Sequence, residues 1–168
     1  MDYKLIRSKR KTIELSIGDD FLPLVKAPLK MSTEDIEKFV LKHEKWIEKQ
    51  IIKKYEHDEK FALSPEEETM LKEKALPYLT ERTEYFAKLM GLKYTGIKIT
   101  SAKKRFGSCS GKNSVCYSWR LMQYPPEAID YVIVHELAHT VHKNHGKDFY
   151  KLIENYLPDY KKREKLLK

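Results

Sequence analysis

His135-Glu136-Leu137-Ala138-His139 sets two imidazoles and a carboxylate within one short stretch, and a further histidine follows in Asn144-His145-Gly146. Histidines four apart on a helix lie on one face, one turn apart, so both can reach one metal ion. The intervening Glu136 then sits close enough to a metal-bound water to take its proton. That combination suits hydrolysis. The third ligand is less direct. From His139 to His145 a straight helix would turn through about 600°, carrying His145 off the metal face. The chain must bend between them, and Asn144 and Gly146 are the residue types that tolerate a left-handed turn at a helix end. His142 competes, because it falls near the face of His135 and His139. It lies further along the axis, however, and three ligands on one straight stripe close poorly around a tetrahedral ion. His145 is therefore preferred, with His142 or a more distant carboxylate as alternatives.

The motif is short, so its context matters. Ile129, Tyr131, Val132, Ile133 and Val134 form an apolar run ahead of it, suited to a buried helix. Pro125-Pro126 marks the start, and Glu127 and Asp130 place negative charge in the first turn. Further upstream, Val115, Tyr117, Trp119 and Leu121 alternate with Cys116, Ser118 and Arg120, which reads as a strand with one apolar face. Arg120 would project from its polar face and is a candidate substrate-binding residue. Ile97 and Ile99 predict a second strand. Ser64-Pro65-Glu66-Glu67 reads as a capping box opening a helix towards Met90 and Gly91, kinked or divided at Pro77. After the motif, Phe149, Leu152, Ile153 and Tyr156 predict a short amphipathic helix ended by Pro158, and a lysine-rich helix follows.

The N-terminal part reads separately. Ile13, Leu15 and Ile17 alternate with polar residues, Gly18-Asp19-Asp20 predicts a turn, and Phe21 to Val25 reads as the partner strand. Ser32 caps one long helix carrying Ile36, Phe39, Val40, Trp46, Ile47 and Ile51, with residues 56–63 as a connection. The expected organisation is thus strands and an amphipathic helix over residues 1–60 and a catalytic part over residues 61–168.

A chain of 168 residues with a net charge of +8 can bury a proper core. Its basic clusters, Lys53-Lys54, Lys103-Lys104-Arg105 and Lys161-Lys162-Arg163, leave a nucleotide or nucleic acid among the expected partners. No apolar stretch is long enough to span a membrane, and the charged N-terminus lacks a signal-peptide core, so a cytoplasmic location is expected. The two cysteines are too few for a disulfide framework. A hairpin turning at Lys112-Asn113 would set Cys109 opposite Cys116, but free thiols outside the metal site are expected.

Taken jointly, these residues resemble the YgjP-like metallopeptidase family, a zincin group related to the SprT/Spartan proteases. The resemblance covers nearly the whole chain. It rests on the helix ending in Trp46-Ile47, the Phe106-Gly107-Ser108-Cys109 loop, Trp119-Arg120-Leu121, and the stretch from Asp130 to His139. Asn144-His145-Gly146, Phe149 and Leu157-Pro158-Asp159-Tyr160 complete it. Phe106 stands where the family usually has tryptophan, which keeps an aromatic ring. The resemblance implies an α+β, zincin-like minimal metalloprotease domain, with a small twisted sheet beside the active-site helix. It also implies one zinc per chain on His135, His139 and His145, with Glu136 as general base. The expected activity is zinc-dependent hydrolysis of a peptide or protein. One alternative is a metal-dependent nucleoside triphosphate pyrophosphatase. Another is a non-catalytic or DNA-associated zinc-binding module.

Overall fold

Three short strands open the chain: β1 (Lys4–Ser8), β2 (Glu14–Ile17) and β3 (Pro23–Pro28). A computed structural model describes residues 2–167. β2 and β3 pair antiparallel around the Gly18–Leu22 turn, in which Phe21 takes a φ of 63°. β1 adds to the other side of β3 in parallel, a pairing that the local pattern does not announce. The partner strand starts at Pro23, because Phe21 is spent on the turn. Val25 and Ala27 point inward from β3 and are fully buried.

The expected long helix is two helices, α1 (Thr33–Lys42) and α2 (Glu44–Lys60). Ser32 caps α1 by accepting from the Asp35 amide at 3.0 Å. The break falls at His43, whose φ of −104° and ψ of 12° leave the helical region. Its Nδ1 donates back to the Phe39 carbonyl at 2.7 Å. Ile36, Val40 and Ile47 cover Val25 and Ala27, so the apolar stripe serves one small core across both helices. α2 also runs on to Lys60, so the connection expected over residues 56–63 is confined to residues 61–64. Residues Met1–Ala62 form one compact unit and Leu63–Lys168 another.

In the second unit, Ser64 and Glu67 make the reciprocal capping box that starts α3 (Pro65–Met90). The helix runs unbroken past Pro77 and stops at Gly91, whose φ of 64° suits glycine at a helix end. β4 (Gly96–Thr100), β5 (Gly107–Cys109) and β6 (Ser114–Ser118) form a three-stranded sheet in the order β4-β6-β5. β4 is parallel to β6 and β5 antiparallel. β6 ends before Trp119, and Trp119–Gln123 form a 3-10 turn instead of more strand. Ser118 drives the change. Its hydroxyl donates to the Ala102 carbonyl at 2.7 Å and accepts from the Arg120 amide at 3.4 Å. The Trp119 and Leu121 side chains still bury, so the alternating pattern reports burial there without a strand.

α4 (Pro126–Ala138) is the central element, followed by α5 (Lys147–Tyr156) and α6 (Tyr160–Lys165). It packs against α3, β5, α5 and α6. Ile133, Val134, Leu137 and Ala138 are fully buried, which explains why its sequence is apolar on every side. Asp130 lies one turn further in than expected, with Glu127 alone in the first turn, and fastens the helix to its neighbours. It accepts from Arg82 Nε at 3.0 Å and Nη2 at 2.8 Å on α3, and faces Arg163 of α6 at 3.7 Å. The fold is mixed α+β, with two small sheets. No helix among the described residues is long and apolar enough to cross a membrane.

Candidate metal centre

The apolar packing of α4 fixes what its last turn presents. His135 and Glu136 lie in that turn, and His139 caps it with φ of −67° and ψ of −13°. The chain leaves the helix immediately, through tight turns in which the Thr140 amide reaches the Leu137 carbonyl and the His142 amide the Ala138 carbonyl. The bend expected at Asn144 and Gly146 therefore comes earlier. Neither residue adopts a left-handed conformation, and Gly146 is extended at φ −81° and ψ −176°. The segment returns to start α5 just after His145.

This return brings His135, His139 and His145 together. His145 Nε2 lies 3.1 Å from His139 Nε2 and 3.2 Å from His135 Nε2. His139 Nδ1 is 2.9 Å from the His142 carbonyl, an acceptor, so Nδ1 carries the proton and Nε2 offers a lone pair. Hydrogen bonds alone cannot satisfy such a cluster. A single Nε2 hydrogen on His145 can serve only one of its two neighbours. A shared cation satisfies all three lone pairs. Tetrahedral zinc with Zn–N near 2.0–2.1 Å sets its nitrogens about 3.3 Å apart, close to the spacing here. Burial, reinforced by His139 and His145, pushes the His135 imidazole down to about 4, and burial lowers His139 too. Neutral imidazoles are the form that binds a metal. The donor set thus fits zinc.

Phe149 backs the cluster. Its ring is fully buried, with its centroid 4.9 Å from His135, 4.5 Å from His139 and 4.8 Å from His145. The sequence marks Phe149 only as the apolar face of an amphipathic helix. His145 precedes α5, so no helical spacing ties Phe149 to the imidazoles and the sequence carries no signal for that contact. His135 Nδ1 is buried without a hydrogen-bond partner, so that ring is oriented by packing against Phe149 and Tyr131.

Glu136 is 6% exposed, and its Oε2 has no hydrogen-bond partner. Burial pushes its carboxyl up to about 7, with the Arg105 charge opposing the shift. Arg105 belongs to the basic run Lys103-Lys104-Arg105, which the sequence places on a loop near the site as a candidate phosphate-binding group. Two clefts share Gly107, His135 and Glu136. One, of about 310 Å³, has Phe106, Tyr131, Val132 and Leu167 in its walls. The other, of about 340 Å³, adds Ser108, Cys109 and Lys143 to the three histidines. Lys143 donates to Asn113 Oδ1 at 2.5 Å and the Ser110 carbonyl at 3.3 Å, tying the β5–β6 turn to the segment between His139 and His145.

The other sequence candidates lie elsewhere. Arg120 sits in the 3-10 turn, donates to the Ser101 carbonyl at 2.9 Å and lies over the Trp119 ring at 4.4 Å. It lines neither cleft. His142 is half-buried outside the cluster and contributes its backbone carbonyl. The cysteines are free. They do not face each other, because the register pairs Cys109 with Val115 and Ser108 with Cys116. Cys109 borders the histidine cleft, where burial pushes its thiol up.

The family model for the YgjP-like metallopeptidase domain matches residues 11–70 and 63–168, and the chain belongs to that family. Among solved structures it is similar to the metallopeptidase zymogen of Pyrococcus abyssi abylysin. The identity is 20% and the TM-score 0.49, over 53% of this chain and 90% of that one. It is also similar to the metallopeptidase zymogen of Methanocaldococcus jannaschii jannalysin, at 21% identity and a TM-score of 0.48, over 53% of this chain and 92% of that one. No curated protein matches the sequence.

Proposed function

We propose that this member of the YgjP-like metallopeptidase family is a zinc-dependent peptidase. His135, His139 and His145 hold one zinc ion, and Glu136 is the general base. The observation that carries the reading is the convergence of three Nε2 atoms beside a buried carboxylate that keeps one oxygen unpartnered. Zinc, when bound, supplies Lewis acidity towards a substrate carbonyl and towards water. Glu136 takes the proton from the attacking water and passes it to the leaving amine. The histidines remain neutral ligands throughout, with His139 held in its tautomer by the His142 carbonyl. The two clefts that meet at Glu136 leave room for residues flanking the scissile bond, one walled by aromatic and aliphatic groups together with Glu164 and the other bearing Lys143.

A second reading, hydrolysis of a nucleotide phosphoanhydride, draws on Arg105, whose charge acts on Glu136. Histidine ligands favour zinc over magnesium, and this favours the peptidase reading. The deciding experiment pairs elemental analysis with two substrate panels, a proteome-derived peptide library and the nucleoside triphosphates. We expect one zinc per chain and peptide cleavage that Glu136→Gln reduces about 10²–10⁴-fold while retaining the metal. A zinc-loaded Glu136→Gln protein with near-wild-type turnover would overturn the assignment of the base. Triphosphate hydrolysis without peptide cleavage would replace the peptidase reading with its rival.

A further inference from the structure

Gly107 lies in β5, paired with Tyr117 of β6. Its backbone does not require glycine. Among the described residues Gly91 is the glycine with positive φ, and Gly107 sits in ordinary strand geometry. What requires glycine is space. A Cβ at this position would come within 2.7 Å of both Glu136 Cγ and Glu136 Oε1, and 2.9 Å of Cδ. Gly96, Gly111 and Gly146 meet nothing within 4 Å in the same comparison. Gly18 also makes a close approach, to Asp20 Oδ1 at 2.6 Å, but that lies within its own exposed turn, whereas Gly107 meets a buried side chain from another element.

We propose that Gly107 is a positioning residue, whose bare Cα is the surface against which the Glu136 carboxylate is set. The inference rests on the reading of Glu136 as base. Glu136 is held from the helix side by its buried neighbours Ile133, Val134 and Leu137, so its backbone cannot retreat. The side chain gives way instead, and it must do so from Cγ outward, because Cγ and Oε1 are equally close. An added methyl group would push it by about 0.7 Å to restore ordinary contact. The cost then falls on the carboxylate's position and not on the fold. A displacement near 1 Å at a reacting group typically lowers the rate by about 10²-fold.

The test compares Gly107→Ala with Gly111→Ala, a strand-flanking glycine with open space around it. Both are measured on a peptide that the wild-type protein cleaves, identified in the peptide library. We expect Gly107→Ala to keep its zinc and its melting temperature within a few degrees, and to lower kcat about 10²-fold with KM changed less than about threefold. Gly111→Ala should behave as wild type. In a Glu136→Gln background, Gly107→Ala should add little further loss, because it acts through the carboxylate. A crystal structure of zinc-loaded Gly107→Ala should show Glu136 displaced. Turnover within threefold of wild type, or an equal loss in the Glu136→Gln background, would overturn the proposal. So would loss of zinc or of folding in Gly107→Ala, which would make the glycine structural. If Glu136→Gln is itself fully active, or no peptide is cleaved, the reading of the base has failed. The crystal structure then decides the geometry alone, and an unmoved Glu136 refutes it.

Discussion

Replacing Phe149 should separate fold stability from metal affinity. Its ring is fully buried and touches all three imidazoles at centroid distances of 4.5–4.9 Å. Phe149→Ala should cost about 3–5 kcal/mol, the usual loss for a buried aromatic and its cavity. Phe149→Leu keeps most of the volume and should cost on the order of 1–2 kcal/mol. If the ring did nothing but fill space, these losses would be the same with and without zinc. The geometry argues otherwise. His135 Nδ1 has no hydrogen-bond partner, so Phe149 and Tyr131 are what orient that ligand. Losing a hydrogen-bonded support of a ligating histidine typically weakens metal binding about 10–100-fold, which bounds from above what loss of this ring's packing should cost. That bound corresponds to about 1.4–2.7 kcal/mol that appears only in the zinc-loaded protein. The assay is a zinc titration against a competing chelating dye, paired with denaturant unfolding of the apo and zinc-loaded forms. Phe149→Leu should show a raised zinc Kd and a smaller stabilisation by zinc than the wild type. A zinc Kd within twofold of wild type, with apo and loaded forms destabilised equally, would refute the reasoning and leave Phe149 as core packing alone.

Two further substitutions address the ligand set. His145→Ala should abolish tight zinc binding, whereas His142→Ala should leave it nearly unchanged, because the His142 contribution is a backbone carbonyl; the same titration reads both, and the reverse order would move the third ligand. The double variant Cys109→Ser, Cys116→Ser should keep its zinc content and peptide turnover within a few-fold, since the thiols stand outside the histidine cluster; loss of zinc with the fold intact would point to an overlooked sulfur ligand and a closed, structural site.

What could be read from the residues alone follows from how local each feature is. The capping box at Ser64 and Glu67, the stop at Gly91 and the buried helix around His135 are set by side chains within one or two turns, and all three are legible. The break at His43 is not, because the apolar stripe of Ile36, Val40 and Ile47 is continuous and one core serves both helices. The strand expected through Trp119 and Leu121 fails for a related reason. Alternating burial is shared by a strand and by a 3-10 turn held at Ser118, and the bond that decides between them comes from Ala102, sixteen residues away. The same division runs through the site. His135, Glu136 and His139 are declared by their spacing on a helix. His145 needs a bend, and that bend comes from backbone bonds right after His139, not from the Asn144 and Gly146 that suggest it. The parts invisible in sequence are those that act across elements: Phe149 behind the three rings, and the bare Cα of Gly107 against the Glu136 carboxylate. A motif specifies which groups take part, whereas the second unit's packing of α4 against β5 and α5 sets where they stand. The chemistry proposed here depends on that second factor to within about an ångström.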